Sequence, residues 1–189
     1  MTIAIYSQKG GVGKTSIAFS LSKDLKLKYI TNDKSASMYK MGNAKFSKTN
    51  IPYQENTIYD FGGFKSEEAI KIANQVDLVF IPTICDINAI SKALDTCKTL
   101  NNKNIIIIAT ALERKKDYEQ IKIVFDKYYP EIKVIPFRKN KLLKNSMEVG
   151  MGATEFFKKS KKSNLLYKNS FIDYEVIKNS CLIHNSSAL

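Results

Sequence analysis

"SQKGGVGKTS", Ser7 to Ser16, follows the apolar run "TIAIY" and opens a segment of helical period, "KTSIAFSLSKDL". Strand, glycine-rich turn and helix in that order form a setting that can cradle phosphate. Glycines let the backbone wrap closely with its amides turned inward, and the helix N-terminus adds partial positive charge. In this reading Gly10, Gly11, Val12, Gly13, Lys14, Thr15 and Ser16 hold the phosphates, Lys14 reaches the terminal ones, and the Thr15 hydroxyl serves magnesium. The usual spacing asks for glycine at position 8, where this chain has Gln8, so the match is to the variant "KGGVGKT". Average residue usage makes that seven-residue variant very rare by chance at any one starting position, which sets aside a plain glycine turn. Lys9 is then a second lysine on a loop that ordinarily needs one.

Outward from the loop, strand-like and helical runs alternate: "LKYIT", "NTIYDF", "SEEAIKIANQV", "DLVFIP", "DINAISKALDTCKTL", "NIIIIAT", "YEQIKIVFDKYY" and "IKVIPF". Apolar strands separated by single helices predict an α/β fold, a mostly parallel sheet with helices on both faces. In "DINAISKALDTCKTL" the residues Ile87, Ile90, Leu94 and Cys97 recur at helical spacing behind a capping Asp86, which places Cys97 in the core. Cys85, just past an apolar strand, is read the same way, and Pro130 stops the following helix. Lys34 to Gln54 shows no clear periodicity and reads either as a loop with a short helix beside the site or as a disordered insertion.

With 189 residues, 44% of them hydrophobic, the chain is long enough for one domain with a sizeable core and short for two, so residues 1–189 are expected to form one domain. No apolar run approaches the length of a membrane span, and the start shows no leader pattern; a cytoplasmic protein is expected. Cys85, Cys97 and Cys181 are odd in number and scattered, and His184 is the only histidine, which argues against a disulfide framework, a zinc site or histidine catalysis. The net charge is +12, and the window Lys133–Lys168 holds ten basic residues against Glu148 and Glu155, or +8 of that excess. A polyanion partner follows, with lysine-rich solubility as the plainer alternative.

The phosphate loop resembles the deviant Walker A motif of the ParA/MinD family of P-loop ATPases, in which an extra lysine precedes the glycines. Lys9 matches that lysine. "YITND" resembles the end of the family's second strand: Asp33 falls on the second acid of a D-x-D pattern, Thr31 replaces the first, and Lys34 and Ser35 stand where Pro and Gln are common. "TIYDFGG" resembles the Walker B strand, with Asp60 at its end and Gly62 and Gly63 in a flexible switch. "VDLVFIPTICDINAISKAL" is similar to the next strand and helix, particularly in small ParF-type partition ATPases. The likeness covers roughly residues 1 to 157, and the stretch from Thr15 to Asp33 is several residues short, so the first helix or its turn must be trimmed.

The resemblance implies a P-loop NTPase three-layer fold with a mostly parallel twisted sheet, ending in a basic helical region over about 138–189. It implies an ATPase in which Lys14 serves its own ATP, Lys9 crosses to the nucleotide of a second subunit, Asp33 orients the attacking water, and Thr15 and Asp60 hold Mg2+. By position Thr110, Pro136 and Arg138 would line the adenine pocket. An ATP-sandwich homodimer would bind nonspecific double-stranded DNA through Lys139, Lys141, Lys144, Lys158, Lys159, Lys161 and Lys162. A ParB-like or ribbon-helix-helix centromere-binding partner would stimulate otherwise slow hydrolysis, driving plasmid or chromosome segregation from the nucleoid.

The alternative of another class is a MinD-like membrane-associated positioning ATPase, which needs a C-terminal amphipathic helix with a basic polar face. In "NLLYKNSFIDYEVIKNSCLI" the apolar Phe171, Ile172, Val176, Ile177, Leu182 and Ile183 are joined by Asp173 and Glu175, with only Lys168 and Lys178 basic, so the segment reads better as a last packing helix. Tyr167 and Tyr174 are too few for a tyrosine-kinase tail. Cys97 on a helix argues against a cluster-bridging reductase, and no residues point to a metabolic ligase.

Overall fold

The computed structural model describes residues 1–33, 45–46, 51–63 and 66–186. Most of the segment Lys34–Gln54 therefore lies outside the described residues. Among the described residues seven strands form one sheet: β1 (Thr2–Ile5), β2 (Lys28–Thr31), β3 (Lys45–Phe46), β4 (Thr57–Asp60), β5 (Leu78–Thr83), β6 (Ile105–Leu112) and β7 (Lys133–Arg138). Their order is β3-β2-β4-β1-β5-β6-β7, and every described pairing is parallel. The helices are α1 (Lys14–Asp24), α2 (Glu67–Ala73), α3 (Ile87–Thr99), α4 (Lys115–Tyr128), α5 (Leu142–Glu148), α6 (Ala153–Lys158) and α7 (Lys161–Ser186).

Strand alternation divides the core in two, because successive side chains point to opposite faces. Ile3, Ile5, Ile58, Ile106 and Ile108 face α1, α5, α6 and α7; Ala4, Tyr59, Ile105 and Ile107 face α2, α3 and α4. Each fully buried isoleucine or phenylalanine contributes roughly 1.5–3 kcal/mol, so both faces are firmly anchored. The chain winds outward from β1 in one direction through β2 and in the other through β5. That reversal leaves a crevice at the carboxyl ends of the central strands, where open α/β sheets hold ligands.

α1 has 11 residues and ends in a tight turn, Leu25 to Leu27, before β2. Asp86 caps α3, its carboxylate accepting the Ala89 N–H at 2.9 Å, and Cys97 is buried. Ile87 departs from the expected apolar face: it is the first residue of α3 and 86% exposed, while Ala89, Ala93, Thr96 and Cys97 meet the sheet. Cys85 is also not in the core. The buried run ends at Thr83, and Cys85 lies on the rim, exposed, donating its thiol hydrogen to Gln120 Oε1 at 3.0 Å.

α7 packs on the core through Tyr167, Tyr174, Ile177 and Cys181. Of the apolar residues expected to pack, Ile172, Val176, Leu182 and Ile183 are instead exposed, since a helix beside one sheet presents only one face to it. Asp173 is likewise not on a polar outer face but buried against Arg138, whose Nε and Nη2 donate to its carboxylate at 2.6 and 2.9 Å. Among the described residues no helix is long and apolar enough to cross a membrane.

Candidate functional site

The loop between β1 and α1 turns at Gly11 (φ 76°) and Gly13 (φ 86°), left-handed conformations that side chains rarely adopt. Gly13 caps α1 without a side-chain bond, so the first amides of the helix have no partner within it. Across the loop, a Cβ at Gly63 would stand 3.1 Å from the Gly10 nitrogen, which fixes how closely the segment after β4 approaches. Lys14 is buried, and its Nζ donates to the Lys9 carbonyl at 2.8 Å. Burial lowers the Lys14 pKa, offset by the nearby carboxylates of Asp60 and Asp33.

Asp60, at the end of β4, collects two hydroxyls on one oxygen: Thr15 Oγ1 donates to Oδ2 at 2.7 Å and the Tyr29 hydroxyl at 2.5 Å. Its pKa is raised by burial, against those hydrogen bonds and the Lys14 charge. Thr31, at the position of the missing first acid, is fully buried; its hydroxyl donates to the Asp60 carbonyl at 2.9 Å and accepts the Asp33 N–H at 3.0 Å. Asn32 Oδ1 accepts the Gly62 N–H at 2.7 Å, tying the loop after β4 to the end of β2. A cavity of about 480 Å³ opens onto Gly10, Lys14, Thr15, Asp33, Asp60 and Gly63. A basic cradle with a hydroxyl and a carboxylate at its floor fits a phosphate chain with a hard divalent cation.

Beside it a cavity of about 150 Å³ is lined by Gly11, Val12, Thr110, Phe137, Arg138 and Leu143, among others. Thr110 does not offer its hydroxyl to this space, because it donates to the Val12 and Thr83 carbonyls at 3.1 and 3.0 Å. Ala111 follows with φ 54° at an irregularity of the β6–β7 ladder, a strained turn that aims Thr110 at the loop. Arg138 borders the cavity with its guanidinium engaged by Asp173, and Pro136 lines a different cavity, with Tyr118 and Arg114.

The seven lysines proposed for DNA fall in different places. Lys144 lines both cavities of the loop, and Lys139 pairs with Glu113 at 2.5 Å. Lys141 is exposed at the start of α5, and Lys158, Lys159, Lys161 and Lys162 are exposed together where α6 meets α7. Sequence reasoning missed Tyr29, Asn32 and the structural part of Thr31. The register Tyr29↔Ile58 and Thr31↔Asp60 places them beside the acid, and polar groups in an otherwise apolar strand were the available signal.

This fold and this loop define a nucleotide-binding α/β domain. Residues 3–149 match the CobQ/CobB/MinD/ParA nucleotide binding domain, and the chain belongs to that family. No curated protein matches it in sequence. Among solved structures it is similar to apo McdA from Cyanothece, with 15% identity, TM-score 0.70, and 95% of this chain and 98% of that one covered. It is also similar to a protein of Borrelia burgdorferi B31 described as a plasmid partition protein and bound to AMPPNP (19% identity, TM-score 0.56, 92% and 97% covered). A third is the septum site-determining protein MinD of Pyrococcus horikoshii OT3 with Mg-ADP (13%, 0.56, 92% and 94%).

Proposed function

We propose that the protein is a ParA-like ATPase: two copies clasp two ATP molecules, the dimer binds DNA irrespective of sequence, and partner-stimulated hydrolysis releases it to segregate a DNA cargo. The observation that carries the reading is the doubled lysine of the loop. Lys14 already lies within its own cradle, held on the Lys9 carbonyl, while the Lys9 side chain is half-buried at the loop's edge and available to a second subunit's nucleotide. The nucleotides bound to the Borrelia and Pyrococcus proteins, and to McdA in its ATP complex, support ATP as the ligand.

In this proposal Lys14 and the amides of Gly10 to Ser16 neutralise the phosphates, and Asp33 orients the attacking water. Thr15 and Asp60 hold Mg2+, which when bound offsets charge on the transferring phosphoryl group. The exposed corner of Lys158, Lys159, Lys161 and Lys162, with Lys141, supplies the phosphate-backbone contacts, doubled when two copies join. Lys144, facing the loop cavities, is assigned to the nucleotide rather than to DNA. A ParB-like or ribbon-helix-helix protein on the cargo is the stimulating partner.

The test is the affinity for random-sequence duplex DNA without nucleotide, with ADP, and with ATP and Mg2+, across a salt series. Tight, salt-sensitive binding is expected only with ATP. Lys9→Ala should keep ATP binding while losing both the ATP-dependent dimer and the gain in DNA affinity. Binding indifferent to nucleotide overturns the switch. No DNA binding, with attachment to anionic liposomes, transfers the protein to the MinD-like reading.

A further inference from the structure

The two acids of the site come from neighbouring strands, at the place where the pairing of those strands stops. The described ladder of β2 on β4 ends at the pair Thr31↔Asp60. Asp60 is the last residue of its strand, whereas Asp33 lies two positions past the end of β2. Both line the cavity of about 480 Å³ over the phosphate loop, and both carboxylates lie near enough to Lys14 to support its charge. Past the last backbone pair, side chains carry the connection.

Thr31 is fully buried, and its hydroxyl relays a hydrogen bond across the gap: it accepts the Asp33 N–H at 3.0 Å and donates to the Asp60 carbonyl at 2.9 Å. A hydroxyl has one hydrogen to donate and lone pairs to accept, and Thr31 uses both on the backbones of the two acids. Asn32, also buried, makes the reverse link, its Oδ1 accepting the Gly62 N–H at 2.7 Å. That bond tethers a glycine pair whose backbone freedom is otherwise large, with Gly63 set closely against Gly10. We propose that Thr31, seconded by Asn32, is a positioning residue for ATP hydrolysis: its hydroxyl sets where Asp33 stands relative to Asp60, and so how Asp33 orients the attacking water. This role rests on the ATPase reading above.

The rest of the site is held by other bonds. Asp60 is paired in the sheet to β1 as well as β2, and its carboxylate is fixed by the Thr15 and Tyr29 hydroxyls. The phosphate loop is shaped by its own glycines and by Lys14 on the Lys9 carbonyl. Loss of the Thr31 hydroxyl therefore loosens Asp33 and leaves the groups that hold phosphate and Mg2+ in place. A shift of about 1 Å in a group that orients a reactant costs on the order of 100-fold in rate.

Single-turnover hydrolysis of radiolabelled ATP and titration with a fluorescent ATP analogue, both on the full chain with Mg2+, make the test. Thr31→Val keeps the shape of the side chain and removes the hydroxyl. It should lower the hydrolysis rate by roughly 10- to 100-fold, with ATP affinity and its Mg2+ dependence unchanged, and should speed hydrogen exchange at the Asp33 amide. Thr31→Ser, which keeps a hydroxyl, should recover most of the rate. In an Asp33→Ala background Thr31→Val should cost nothing further, because the two residues act as one unit. The same split between rate and affinity is expected of Asn32→Leu, which decides the question if the Thr31→Val chain does not fold. A wild-type chain that does not hydrolyse ATP overturns the ATPase reading and this role with it. Where the wild type turns over, an unchanged rate in Thr31→Val, an equal loss of ATP affinity, or a further loss in the Asp33→Ala background overturns the role of Thr31 alone.

Discussion

The phosphate loop and the C-terminal helices are built on opposite principles. The loop is held by rules local to the backbone: two left-handed glycines, a helix start, and one lysine folded onto a carbonyl five residues back. The C-terminal helices are held by side chains that reach across the chain. Asp24, at the end of α1, accepts from the Thr154 N–H at 3.0 Å, the Thr154 hydroxyl at 2.6 Å and the Tyr174 hydroxyl at 2.8 Å, so one carboxylate joins α1, α6 and α7. Arg138 and Asp173 join β7 to α7 in the same manner. Chemistry lodged in the first region can thus be removed without unfolding the second, while the second depends on a few distant polar bonds.

The widest separation of the two should come from Lys14→Ala, which is expected to weaken nucleotide binding at least ~100-fold by loss of a charge-assisted contact. Titration with a fluorescent ATP analogue reads that loss, while the urea midpoint should stay near wild type. Asp24→Ala is its mirror image. It leaves the buried Tyr174 hydroxyl and Thr154 without their acceptor and should cost about 2–4 kcal/mol in urea denaturation, with nucleotide affinity retained in the folded protein.

Tyr29→Phe sharpens the comparison within the site itself, because Tyr29 touches Asp60 and no part of the loop's glycines. It should raise the Mg2+ concentration needed for tight ATP binding by about 10-fold, as loss of a group that orients a metal-binding carboxylate does, and leave metal-free nucleotide binding unchanged. The smallest effect is chemical. Iodoacetamide should modify one thiol per native chain, at Cys85, since burial pushes Cys97 and Cys181 up to about 12; mass spectrometry of the labelled peptides checks it.

What could be read in the sequence follows the same division. Six of the seven strands and the first four helices were legible because their signal is periodic and local, and the loop because "KGGVGKT" dictates its own turns, whereas the two-residue β3 lies in the stretch Lys34–Gln54 that showed no periodicity. The surroundings of Asp60 were not legible, since Tyr29, Thr31 and Asn32 acquire their partners from residues about thirty positions away, through the parallel register of β2 on β4. Composition also misled at two points. Cys85 and Ile87 are apolar residues at a strand-to-helix rim, where burial depends on what lies overhead and not on residue type. For α7 the segment itself was read as a packing helix, but the apolar run could not say which of its faces meets the sheet.

α1 carries a mechanical consequence. It is a rod about 16 Å long, with the phosphate loop at its head and Asp24 at its foot, bonded to the first turn of the helix whose end bears Lys158 and Lys159. Any movement of α1 that displaced Asp24 would lengthen the bond it accepts from the Thr154 N–H, so that amide would report such a movement. Its hydrogen-exchange rate can be followed without touching either the phosphates or the lysines.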